Sequence, residues 1–126
     1  MLISGIISVM KSVTNLDKVL DIQVKMVLLA CRDAVCQSYP DAHIILYGSQ
    51  ARGQAGPESD LDLLVLLNSG VSSEITRSIR DMLYEIGLQN DIVISVIVRS
   101  LDTWNSAIWQ ATALYKEIEK EGINVK

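Results

Sequence analysis

Tyr47-Gly48-Ser49-Gln50-Ala51-Arg52-Gly53 stands ahead of Asp60-Leu61-Asp62-Leu63, with ten residues between Ser49 and Asp60. Asp60 and Asp62 stand two apart at the entry of an apolar run, Leu61 to Leu67. Side chains of a strand alternate between its faces, so both carboxylates share one face. Two like charges held side by side repel unless something neutralises them. A divalent cation does this, and hard oxygen ligands suit magnesium. Two such ions about 3.5–4 Å apart clamp the attacking and leaving oxygens of a phosphoryl transfer. Gly48-Ser49 falls between an expected strand, His43 to Tyr47, and an expected helix start. Glycine lets backbone approach a ligand closely, and free N–H groups at a helix start receive phosphate. The Ser49 hydroxyl adds a hydrogen bond, and Arg52, one turn on, carries a planar fork suited to phosphate oxygens. A phosphate cradle beside a metal pair describes a site for a nucleoside triphosphate. Taken singly, an Asp-x-Asp is an ordinary solvated strand end and a Gly-Ser an ordinary turn. The combination is the specific signal.

Outward from this stretch, the apolar spacing predicts the surrounding elements. Asn15 to Ser38 carries Leu16, Leu20, Val24, Val27, Leu28, Cys31 and Val35 at helical period. Thr14 or Asn15 is its expected N-cap, and Pro40 bars its continuation. Gln54 to Ser59 reads as a loop around Gly56-Pro57. Leu61 to Leu67 is apolar on both faces apart from Asp62, which predicts a central strand. Val71, Ile75, Ile79, Met82, Leu83 and Ile86 predict a second long helix, capped by Ser72 or Ser73 and closed at Gly87. Ile92 to Val98, rich in β-branched residues, predicts a third strand. Trp104, Ile108 and Trp109 lie in a segment of undefined form. Ala111 to Glu121 predicts a last helix, with Leu114 and Ile118 inward and Gly122 at its C-cap. The expected class is α/β (α+β): a small mixed β-sheet with helices packed on it.

The chain has 126 residues, 49% of them hydrophobic, enough for one packed domain over 1–126. Residues 1–13 read as an extension or loose N-terminal segment. Met1 to Met10 is apolar and uncharged, but it lacks the basic start of a secretory signal and falls short of the about 20 residues a membrane span needs. The two cysteines, Cys31 and Cys36, are five apart, do not form a C-x-x-C pair, and read as reduced thiols of a cytoplasmic protein. The single histidine, His43, excludes a zinc site built on several histidines and reads as a strand-entry residue. Net charge is −4 with basic residues scattered, so direct nucleic-acid binding along a basic stripe is not expected. Tyr47, Trp104 and Trp109 read as core or contact residues. Lys116, Glu117, Glu119 and Lys120 read as a solvated helix face.

Gly48-Ser49, ten residues, then Asp60-x-Asp62 running into an apolar strand resembles the signature of the nucleotidyltransferase superfamily that includes DNA polymerase β. The fuller string, Gly48-Ser49-x-Ala51-Arg52-Gly53 with Ser59-Asp60-x-Asp62-Leu63, is similar to that of minimal nucleotidyltransferase (MNT) domains, most strongly across Ile44 to Leu67. The resemblance implies a Mg2+-dependent enzyme, with a two-metal site, that transfers a nucleoside monophosphate to an acceptor hydroxyl and releases pyrophosphate. It implies Asp60 and Asp62 as catalytic metal ligands and Gly48, Ser49, Arg52 and Ser59 as nucleotide-binding residues. It also implies a third carboxylate on a neighbouring strand, which completes the metal site and accepts the acceptor's proton. Asp91, opening the expected strand Ile92 to Val98, is the candidate. If Ser95 stands at that depth instead, the third carboxylate is missing and transfer is weak or absent. No acceptor-binding domain is evident, so the acceptor is expected to arrive as a partner. MNT domains of this kind are similar to antitoxins paired with HEPN-domain toxins, where AMP passes from ATP to a tyrosine of the toxin. A small-molecule nucleotidyltransferase of the aminoglycoside type, working as a dimer, and a non-catalytic module that neutralises a partner by contact are the alternatives. The base, the acceptor and any homo-oligomer stay open at this point.

Overall fold

The computed structural model of the protein describes residues 16–56 and 60–126. Two helices come first, α1 (Leu16–Val19) and α2 (Ile22–Ser38). The single helix expected from Asn15 is therefore interrupted. Asp21 takes an extended conformation (φ −71°, ψ 166°), and its carboxylate accepts from the Val24 N–H at 2.9 Å. A short acidic side chain competes with the helix for backbone N–H groups and starts a new helix where the old one would have continued. Leu16 and Leu20 are buried all the same, so the apolar period runs across the break and hides it. Thr14 and Asn15, the expected caps, lie outside the described residues. Tyr39 ends α2 by donating its N–H to the Val35 carbonyl, and Pro40 follows.

Among the described residues four strands form one sheet: β1 (His43–Tyr47), β2 (Leu61–Leu67), β3 (Ile94–Ser100) and β4 (Ile123–Asn124), in the order β3-β2-β1-β4. β1 runs antiparallel to β2 and β4, whereas β2 and β3 are parallel. The sheet is mixed and β2 is central, as expected. Its two faces are covered by different layers. Leu61, Leu63, Val65 and Leu67 pack with α2 residues Val27, Leu28, Cys31 and Val35, and with Ile79 and Leu83 of α4 (Ser73–Asn90). Leu64 and Leu66 face the other way, with Ile45, Tyr47, Trp104, Tyr115 and Ile118. Each fully buried aliphatic side chain contributes about 1.5–3 kcal/mol relative to exposure, so this doubly covered strand anchors the domain.

Ser72 caps α4, its hydroxyl accepting from the Ile75 N–H at 3.1 Å. The helix does not close at Gly87. It runs on to Asn90 and ends at Asp91, which adopts a left-handed conformation (φ 54°, ψ 44°). The chain then folds back, and the Ile92 N–H donates to the Gly87 carbonyl at 3.0 Å. Gly87 is needed for that return: a Cβ there would lie 2.5 Å from the Ile92 carbonyl oxygen. The return consumes Asp91 to Val93, so β3 begins at Ile94 rather than Ile92.

After β1, Gly48–Ala51 forms the short helix α3. After β3 come α5 (Leu101–Trp104), α6 (Ala107–Gln110) and α7 (Ala113–Glu121). The undefined segment around Trp104 is thus a staircase of helical turns. Ser100, Ser106 and Thr112 cap the three helices in turn, accepting from the N–H groups of Thr103, Trp109 and Tyr115. Trp104 is fully buried against Trp109 and Tyr115, with ring centroids 5.6 and 5.1 Å away. Ile118 points inward and Gly122 ends α7 as expected, while β4 had no sequence counterpart. No helix among the described residues is long and apolar enough to cross a membrane.

Candidate active site

The antiparallel register sets Tyr47, the last residue of β1, opposite Asp62, the second residue of β2. Gly48 follows at φ +79°, a conformation that side-chain-bearing residues rarely adopt. Backbone and carboxylate meet here so closely that a Cβ on Gly48 would collide with Asp62 Oδ2. Gly48 therefore serves two needs, the turn from β1 into α3 and room for Asp62. Asp62 lies on the Leu64–Leu66 face, where the apolar cover thins out toward the strand's start. Asp60, exposed just before β2, has the same parity.

Burial, more than any charge, pushes the Asp62 carboxyl above the usual range, and the negative charges of Asp60 and Glu117 push the same way; Arg52 pulls against them. The Tyr47 phenol is raised by burial first, then by Asp62 and Glu117. Asp60, Asp62 and Glu117 thus make a negative corner that Arg52 offsets in part. Glu117 is the residue the sequence reading passed over. It is exposed on α7, and it was read only as part of a solvated face. The fold-back of α7 toward β1 and α3 gives its charge a role, and the sequence carries no local signal of that packing.

The remaining expected residues are distributed unevenly. Ser49 is half-buried in α3, next to Gly48. Arg52 ends α3 but is turned toward α7: its Nη1 lies 3.0 Å from Glu121 Oε2, and its Nε donates to Gln54 Oε1 at 3.2 Å. Ser59 lies outside the described residues. Asp91 is not brought to the pair. It is the exposed C-cap of α4, and it lines a cavity with Asp21, Gln23 and Val24 at the start of α2. The expectation that it opens β3 fails because the left-handed turn and the return over Gly87 come first. In the parallel register, Ser95 stands beside Asp62. Among the described residues no group of three or more His, Cys, Asp or Glu side chains is arranged to hold a metal ion. Asp60 and Asp62 have the hard oxygen donors a divalent cation needs. The donor set for a three-carboxylate centre is not assembled.

A central β2 entered by an acidic pair, with a left-handed glycine packed on the second carboxylate at the adjoining strand end, defines a nucleotidyl-transfer class of fold. The chain belongs to the nucleotidyltransferase domain family, whose model matches residues 28–125. Comparison with curated proteins finds no match. Among solved structures the chain is similar to the crystal structure of a toxin–antitoxin with AMP-PNP, at 18% identity and a TM-score of 0.51, over 75% of this chain and 69% of that one. At that identity the likeness speaks for the fold. Family and fold together bear out the resemblance drawn from the Gly48-Ser49 and Asp60-x-Asp62 pattern.

Proposed function

We propose that this domain is the antitoxin of a two-protein pair and uses a nucleoside triphosphate, ATP by preference, to modify its partner. The observation that carries the reading is the Gly48–Asp62 contact at the mouth of β2, in a chain of this family. Asp60 and Asp62 would hold Mg2+, which when bound supplies charge neutralisation to the triphosphate. Gly48 offers close backbone approach and Ser49 a hydroxyl to the phosphates. Arg52, whose Nη1 pairs with Glu121 in this structure, would add its guanidinium to the phosphates. In the reaction the acceptor oxygen bonds to the α-phosphorus, the bond to the β-phosphate breaks, pyrophosphate leaves, and the acceptor's proton passes to solvent or a nearby carboxylate. Catalysis of this kind rests on positioning and electrostatics.

The proposed acceptor is a tyrosine of a HEPN-domain toxin in the cytoplasm. Its support is the toxin–antitoxin likeness, in a chain of this family. The test is incubation with α-labelled ATP, Mg2+ and the protein encoded beside this one. Label on a partner tyrosine, lost with Asp60→Ala, is the expected result. Equal labelling by wild type and Asp60→Ala, or none with either, sinks the idea. One observation favours a second reading, a binding module that neutralises by contact: Asp91 stands apart from the pair. Neutralisation in cells that survives Asp60→Asn would select it.

A further inference from the structure

The acidic face has a third position, and it is filled by a hydroxyl. Ser95 is the registered partner of Asp62 on the parallel strand β3. Registered residues of neighbouring strands point to the same face, with backbones about 4.8 Å apart. The packing agrees: Leu64 and Leu66, which continue the Asp62 face, share a cluster with Ile97, which continues the Ser95 face. Ile94 and Val96 turn to the opposite layer. Ser95 is exposed, and β3 is the edge of the sheet, so its hydroxyl stands at an open rim beside the Asp62 carboxylate.

We propose that Ser95 occupies the place of a third cation ligand, and that having a hydroxyl there keeps divalent-cation binding weak until a triphosphate supplies the missing oxygens. Cation affinity at oxygen sites follows the number of charged ligands. Two carboxylates offer one cation two charges, and no third charge stands level with Asp62 on β3. Asp91 caps α4 in a left-handed turn and lines a different cavity, with Asp21 and Gln23. The metal would then enter with the nucleotide rather than ahead of it.

This inference rests on the proposed nucleotide-binding reading, but its test uses the cation alone. Mn2+ binding to the purified protein is measured by titration calorimetry and by loss of the free-ion resonance signal, without nucleotide. Wild type is compared with Ser95→Asp, Ser95→Glu and the double variant Asp62→Asn/Ser95→Asp, each checked for native circular dichroism. The expected result is at least about tenfold tighter Mn2+ binding in a Ser95 carboxylate variant, with the gain lost in the double variant. The proposal is overturned if neither folded Ser95 variant binds more tightly, or if the gain survives without Asp62. Tight Mn2+ binding by wild type also overturns it, while leaving the nucleotidyltransferase reading intact. Absence of ATP binding in a protein whose Ser95→Asp form gains Mn2+ refutes the nucleotidyltransferase reading, and with it the claim that a triphosphate completes the cation's ligand set.

Discussion

Gly48 is where backbone conformation and chemistry meet most tightly. Gly48→Ala would place a methyl group in a left-handed residue, at about 1–2 kcal/mol, and would push Asp62 out of place besides. The expected outcome is a protein that still folds, melts lower and no longer binds nucleotide; calorimetry and a melting curve check both halves. Asp62 itself weakens the fold it belongs to. Its folded carboxyl holds a proton more firmly than an unfolded one, chiefly because it is partly buried and then because Asp60 and Glu117 lie near. Stability linked to it is full below the unfolded carboxyl's pKa and is lost as pH rises through the raised, folded one. Asp62→Asn should therefore melt above wild type at neutral pH, and the difference should vanish on acidification. The cysteines differ in the same physical sense. Burial pushes the Cys31 thiol up to about 12; burial also raises the Cys36 thiol, with Lys126 and Arg32 pulling against it, but Cys36 is only partly buried and so within reach of a reagent. A thiol reagent should modify Cys36 in the native protein and reach Cys31 only after unfolding.

At the scale of elements, the strands carrying the site were legible and the turns that aim them were not. β1 and β2 match their expected bounds because apolar runs bracketed by Pro40, Gly48 and Asn68 leave little freedom. Asp21 and Asp91 were misread for one shared reason. Each is a polar residue that redirects backbone locally while apolar spacing continues past it. The parallel register sets Ser95 beside Asp62, and the left-handed turn leaves Asp91 at a helix end. Gly87 guards that arrangement. Gly87→Ala would overpack against the Ile92 backbone, at about 1–3 kcal/mol, and disturb the start of β3. Denaturant unfolding gives the loss, and hydrogen exchange at the Leu61 N–H, bonded to Val93 at 2.9 Å, reports the disturbed pairing.

Across the whole molecule, two cores share one sheet. The α2–α4 layer carries the larger cluster, and the α5–α7 layer closes the face on which the acidic corner opens. Arg52 and Glu121 join α3 to α7 at that corner, which ties the proposed phosphate-binding end of the site to the C-terminal helix. That Gly48 and Asp62 would meet at adjoining strand ends was legible because the residues are close in sequence. Glu117, Glu121 and Ser95 reach the site only through tertiary packing and strand register, which local spacing does not encode. The metal-dependent triphosphate site proposed for Asp60, Asp62 and Gly48 can be probed by titrating a non-hydrolysable ATP analogue into wild type and Asp62→Asn, with Mg2+ and with chelator. Saturable binding by wild type with Mg2+, lost both in chelator and in Asp62→Asn, is the expected result. Binding of equal strength in all these conditions, or none by wild type with Mg2+, would contradict it.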